Sequence, residues 1–326
     1  MGKFMFNVSN DFSKDTNTAV IAAETAAVYC KIIQNRITGN IQKFDKTPVT
    51  IADYVSQTII CKIISDRHSD DKIMAEETTA YLRAPENQDS LREVVGFVKE
   101  YFAEADKEFV LSNFDKGSCR ISDRFWTIDP IDGTKGFIRK EQYCTAIALF
   151  ENGDIKSAAV GCPEIEYNGV KGAVFFAERG KGAYIKSFNS HSFEKISLDS
   201  LTDENLRFVQ SVDSGHGDLI RQEQIAKNLG IVNPPVQMDS QVKYCIVAWG
   251  KAALYVRIPS QKRPDYKENI WDHMPGTLIV EEAGGIVTDI NGLRLIFDDV
   301  KMMHNTGIVA AAANLHEKVI KEISGK

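Results

Sequence analysis

The sequence predicts an α/β protein in two parts: an α+β half built on an antiparallel sheet, then a smaller half of alternating strands and helices. Three observations predict it. Apolar residues recur at helical spacing in two long segments near the N-terminus. From about residue 124 to 197 the pattern changes to short strand-like runs separated by tight glycine turns. After residue 203, strand-like and helix-like segments alternate, as layered α/β structures require.

Taken in order, the first helix is read in "TNTAVIAAETAAVYCKIIQNRITG", closing near Gly39. A second follows in "TIADYVSQTIICKIISD", opened by Thr50 just after Pro48. "DKIMAEE" reads as a short strand running into acidic residues, and a helix is expected around "DSLREVVGFVKEYFAEA". A strand is expected to end at Ile128, where "DPIDGT" turns the chain. "YCTAIALF" and "IKSAAVGC" flank "ENGD", and Asn152-Gly153 is a strong hairpin signal. "GAVFFAE" and "GAYIKS" flank "RGKG" in the same way. Residues 186–205 are polar and serine-rich, which places a boundary between units 1–202 and 203–326. The second unit then reads as strand "LRFVQS", helices "DLIRQEQIAKNLG" and "SQVKYCIVAWG", and strand "AALYVRIP". A helix from "WDHMPG" and strands "GIVTDI" and "GIVAAAA" complete it.

Composition narrows the function. The chain has 326 residues, 43% of them hydrophobic, and a net charge of -6. That balance disfavours nucleic-acid binding, which needs a basic face. No apolar run reaches the roughly 18 residues of a membrane span, and Phe6 breaks a myristoylation pattern at Gly2. Cys30, Cys61, Cys119, Cys144, Cys162 and Cys245 are scattered with no C-x-x-C pair, so reduced thiols in a cytoplasmic protein are expected.

The chemistry concentrates in "WTIDPIDGTKGF", residues 126–137. Aspartate with proline and glycine makes turns for local reasons, and Asp132 could simply cap a helix. The same geometry also sets Asp129, Asp132 and the Ile131 carbonyl toward a hard cation such as magnesium. A helix starting after Gly133 would favour an anion at the same spot. Further carboxylates stand in "AEET" (Glu76, Glu77), "WDHMPG" (Asp272) and "TIADY" (Asp53). Each has a plain alternative as a cap or a solvated loop residue.

Together, "DPIDGT", "AEET" and "WDHMPGTLIVEEAGG" resemble the motifs of the magnesium-dependent, lithium-sensitive phosphatases that include inositol monophosphatase. The resemblance implies a layered α-β-α-β-α sandwich and at least two magnesium ions. Glu76, Asp129, the Ile131 carbonyl, Asp132 and Asp272 would hold them. It further implies that Thr134 and Asp53 activate water, and that the Gly133 and Thr134 amides grip phosphate. "SVDSGHGD", "MDSQVKYC", "LYVRIP" and "FDKTPVTIADYVSQTII" resemble the 3'(2'),5'-bisphosphate nucleotidase branch. By that resemblance the substrate is adenosine 3',5'-bisphosphate. His216 would lie on adenine, with Ser240, Lys243 and Arg257 around the nucleotide. An inositol polyphosphate 1-phosphatase is the alternative within the superfamily, and a non-catalytic nucleotide sensor the alternative outside it.

Overall fold

The structure, a computed structural model, describes residues 8–37, 51–212, 218–259 and 266–325. Helices α1 (Lys14–Ile37) and α2 (Ile51–Arg67) lie against one face of a seven-stranded sheet. Buried residues cover every side of α2 because α1, the sheet and two later helices enclose it.

Strand β1 (Lys72–Ala75) is followed by α3 (Ala80–Arg83), α4 (Gln88–Tyr101) and α5 (Lys107–Asp115), then by β2 (Arg124–Asp132). These helices form a crossover, so β1 pairs with β2 in parallel, Ala75 opposite Ile128. The first sheet is therefore mixed rather than wholly antiparallel as expected. After α6 (Thr134–Arg139) the chain runs through β3 (Cys144–Glu151), β4 (Asp154–Tyr167), β5 (Val170–Glu178), β6 (Gly182–Ser187) and β7 (Glu194–Ile196). Those strands pair antiparallel in sequence order, with the Asn152-Gly153 hairpin where it was expected. The serine-rich stretch is not all linker: it holds the end of β6 and the edge strand β7, whose exposed Glu194 and Lys195 suit an edge.

The second sheet contains β8 (Phe208–Gln210), β9 (Val236–Gln237), β10 (Leu254–Arg257), β11 (Gly285–Thr288) and β12 (Ile308–Ala312), in the order β11-β12-β10-β8-β9. Helices α7 (Leu219–Asn228) and α10 (Ala313–Ser324) cover its outer face; α8 (Val242–Ala248) and α9 (Met274–Glu282) lie between the sheets. The layers thus read α-β-α-β-α. As a middle layer must be, α8 is buried along its whole length. All six cysteines are unpaired, and five are buried. Among the described residues no helix is long and apolar enough to cross a membrane.

The strand expected to stop at Ile128 instead continues to Asp132 through a bulge. Asp129 pairs with Ala146 but Asp132 pairs with Cys144, so one extra residue is inserted in β2. Without it, residues three apart would face opposite sides of the sheet. With it, Asp129 and Asp132 share the face of Ala146 and Cys144, the side that meets α8 and α9. The bulge is pinned at the Pro130 carbonyl, which accepts from Ser56 Oγ at 2.9 Å and Thr145 Oγ1 at 3.0 Å.

The return from α6 into β3 is equally tight. A Cβ on Gly136 would come within 2.1 Å of the Gln142 carbonyl oxygen, which is backbone and has no easy retreat. Gly136→Ala is expected to cost about 1–3 kcal/mol, as overpacking does. Urea unfolding would read this as a lower midpoint at unchanged slope. An unchanged midpoint would show that the return can relax.

Candidate active site

A cavity of about 300 Å³ opens where the end of β2 meets the second sheet, lined by the acids Glu76, Asp132 and Asp272 and by the cations Lys243 and Arg257. Gly133, Thr134 and Ser240 also reach it. This size lies at the small end of ligand pockets.

Each acid is delivered by a different piece of local structure. Glu76 sits one residue past β1, and its amide donates to the Ile128 carbonyl at 3.2 Å, which sets it beside Asp129. The next residue is clamped by Gln57, whose side chain bonds both the Glu77 amide and carbonyl. Asp129 is buried, and its Oδ1 has no hydrogen-bond partner. Asp132 Oδ2 accepts the Gln241 amide at 2.5 Å. Asp272 closes a single 3₁₀ turn, Ile270–Asp272, and its Oδ2 accepts from the Asn269 amide at 3.3 Å. Asp53 is buried in the first turn of α2, and its charge reaches Glu76.

Helix α6 does begin at Thr134, with Gly133 as a left-handed cap at φ 88°. Thr134 Oγ1 donates to the Ile131 carbonyl at 3.3 Å, so hydroxyl and carbonyl are held together.

The acids disturb one another. Burial and then the Asp272 charge push Glu76 up to about 8. Burial, followed by the Glu76, Asp132 and Asp272 charges, holds Asp129 well above the usual carboxylate range. Burial pushes Asp272 up to about 6, with His273 pulling it down and Asp132 adding to the rise. Burial raises Asp132 as well, against the pull of Lys243 and the Gln241 amide. Glu76 and Asp129 are close enough to share a proton.

Among the described residues, no three His, Cys, Asp or Glu side chains stand at the mutual spacing of one ion's coordination shell. The acids still suit a hard cation on chemistry: all-oxygen donors, one of them buried and unbonded, with pKa values raised by burial and, for Glu76, Asp129 and Asp272, by neighbouring acids. Ordinary hydrogen bonding within the fold does not explain a buried carboxylate oxygen without a partner.

In the same cavity, burial pulls Lys243 down to about 8, partly countered by Asp132; its Nζ lies 5.4 Å from the Tyr255 ring centre. Arg257 lines the cavity with its Nε 2.7 Å from Glu268 Oε1. Ser240 lies at φ 62°, a strained left-handed position for a residue with a side chain. His216 lies outside the described residues, as do Thr50 and the basic pair Lys262 and Arg263. Sequence reasoning missed Gln241, Asp239 and His273. Asp239 accepts from Arg139 at the end of α6 and from the Val212 amide, and His273 Nδ1 bonds the Tyr244 hydroxyl at 2.7 Å.

Layered sheets with acids gathered at a bulged strand end define a phosphatase fold, and the chain belongs to the inositol monophosphatase family, whose profile matches residues 13–326. Within it, the 3'(2'),5'-bisphosphate nucleotidase of Schizosaccharomyces pombe is 35% identical, over 95% of each chain. That of Dictyostelium discoideum is also 35% identical, over 96% of this chain and 97% of its own. Among solved structures, CysQ of Bacteroides thetaiotaomicron, a bacterial member of the inositol monophosphatase family, superposes with a TM-score of 0.64 at 22% identity. It covers 93% of this chain and 98% of its own.

The raised carboxyls carry a stability signature. A group whose folded pKa exceeds its unfolded value contributes fully below the unfolded value and loses that contribution as pH rises through the folded one. The losses therefore pass through about 6 for Asp272 and about 8 for Glu76. Lys243, pulled down to about 8, acts only above that value and does not mask them. In chelator, the melting temperature should fall between about pH 5 and about pH 8, each fully shifted group losing about 1.4 kcal/mol per pH unit. Asp129→Asn should flatten that fall and raise the melting temperature at the upper end. A flat wild-type profile would mean that neither burial nor repulsion raises these carboxyls in the folded protein.

Proposed function

We propose that the protein is a magnesium-dependent 3'(2'),5'-bisphosphate nucleotidase. It hydrolyses the 3'-phosphate of adenosine 3',5'-bisphosphate to give AMP and phosphate, with no covalent intermediate. The observation that carries this reading is one cavity lined both by the acids Glu76, Asp132 and Asp272 and by the cations Lys243 and Arg257. The names of the 35%-identical relatives support the choice of substrate.

Glu76, Asp129, the Ile131 carbonyl, Asp132 and Asp272 would hold magnesium, two ions or more. Magnesium supplies Lewis-acid polarisation of the phosphoryl group and makes water easier to deprotonate. Thr134, with its hydroxyl fixed on the Ile131 carbonyl, orients the attacking water. Asp53, buried near Glu76, acts with Thr134 as the base that takes the proton of that water. The Gly133 and Thr134 amides, at the start of α6, grip the phosphate oxygens. Lys243 and Arg257 meet the 5'-phosphate, Ser240 the nucleotide, and His216 the adenine.

Phosphate release from adenosine 3',5'-bisphosphate, inositol 1,4-bisphosphate and fructose 1,6-bisphosphate is the direct test. The nucleotide should be the fastest substrate, and chelator or lithium should stop release. Asp129→Asn should lower turnover more than about a hundredfold with the fold kept, beyond what losing a supporting hydrogen bond costs. Undiminished turnover in that variant would defeat the metal assignment.

The basic pair would serve any bisphosphate, so His216 separates the nucleotidase from the inositol polyphosphate phosphatase. His216→Ala should reduce turnover of the nucleotide much more than turnover of inositol 1,4-bisphosphate. Equal losses would count against an adenine contact at that position.

A further inference from the structure

Gln241 ties together two segments that carry acids. Its backbone amide donates to Asp132 Oδ2, presented there by the left-handed turn at Ser240. Its side chain, in a residue only 1% exposed, reaches the other way. Nε2 donates to the Trp271 carbonyl at 2.8 Å, and Oε1 accepts from the Gly276 amide at 3.1 Å. Those two backbone groups bracket Asp272.

Helix α9 needs such help. The first amides of any helix lack partners within it. Here Pro275 has no N–H to offer, and His273 at the cap position gives no side-chain bond. The buried Gly276 amide is satisfied instead by Gln241, the residue that caps α8. The contact is close because residue 276 is glycine: a Cβ there would lie 2.4 Å from Tyr244 Cγ. Gln241 therefore works where α8 and α9 have little freedom to slide.

We propose that Gln241 is a positioning residue that sets the separation of Asp132 and Asp272, and with it the strength with which that pair holds a divalent cation. This inference rests on the metal assignment proposed above. Asp132 stands on the first sheet and Asp272 on the lead-in to α9, so nothing within either segment fixes their spacing. Two like charges held at a fixed short distance gain from a shared cation; the same charges free to separate gain less.

Gln241→Met isolates the role. It keeps the side-chain length and the backbone bond to Asp132, and deletes both ties around Asp272. Magnesium affinity is to be measured by calorimetry without substrate, on protein checked for fold by circular dichroism. It should weaken by about tenfold, as for other outer hydrogen bonds around metal sites, whereas a change of less than about twofold would overturn the proposal. Turnover should recover as magnesium is raised, with the KM for the nucleotide unchanged at saturating metal. A general loosening of the fold would instead raise that KM and leave turnover low.

Hydrogen exchange on the wild-type protein gives a mutation-free reading. Protection of the Gly276 amide should rise several-fold when magnesium is added, and unchanged protection would overturn the proposal equally. A wild-type protein that binds no magnesium at all would overturn the assignment on which the proposal stands, which a normal wild-type titration with an unaffected variant would not.

Discussion

One extra residue in β2 is the constraint on which the site depends. Strand geometry would send Asp129 and Asp132 to opposite faces; the bulge puts both on the face that meets α8 and α9. Two like charges about 4 Å apart repel by roughly 4 kcal/mol at an effective dielectric of 20. The fold brings more acid to this pair rather than less. Parallel pairing carries Glu76 to the end of β1 beside Asp129, and the turn before α9 brings Asp272 from the other side. Burial raises the pKa of all four, and for Glu76, Asp129 and Asp272 the charges of neighbouring acids add to the rise.

The surrounding architecture keeps these groups from relaxing apart. The Pro130 carbonyl takes two hydroxyls, one from α2 and one from β3, so the bulge is braced from a helix and a strand. Gln57 holds the backbone after Glu76 from α2. Buried helices α8 and α9 fill the middle layer, where displacement would open voids in a close-packed core. A surface loop carrying the same acids could swing them into water.

Much of this was legible in the sequence, and what was not had physical reasons. "DPIDGT" and "AEET" announced acids at strand ends, and the glycine hairpins stood where expected. The bulge was illegible because it is a property of pairing: residue spacing in one strand says nothing about its neighbour's register. Parallel pairing of β1 with β2 was hidden for the same reason. Helix α10 could have been found, since Leu315, Val319 and Ile323 follow helical spacing and Gly325 caps it. Gln241 could not. One glutamine in "SQVKYC" reads as a helix-start residue until Trp271 and Gly276 fold against it.

Burying Lys243 makes sense only in combination with the acids of the same cavity. Burial alone drives its proton off, and Asp132 is the largest influence holding that proton on. Whatever neutralises Asp132 therefore weakens the charge that keeps Lys243 an ammonium. An ammonium in that position then gains from a second anion, which a phosphate on the far end of a bisphosphate supplies. The same desolvation that makes the acids want a cation thus leaves Lys243 short of an anion once Asp132 is neutralised. On the function proposed above, a preference for a doubly phosphorylated substrate would follow from the electrostatics of this one cavity, where Asp132 is coupled both to the other acids and to Lys243.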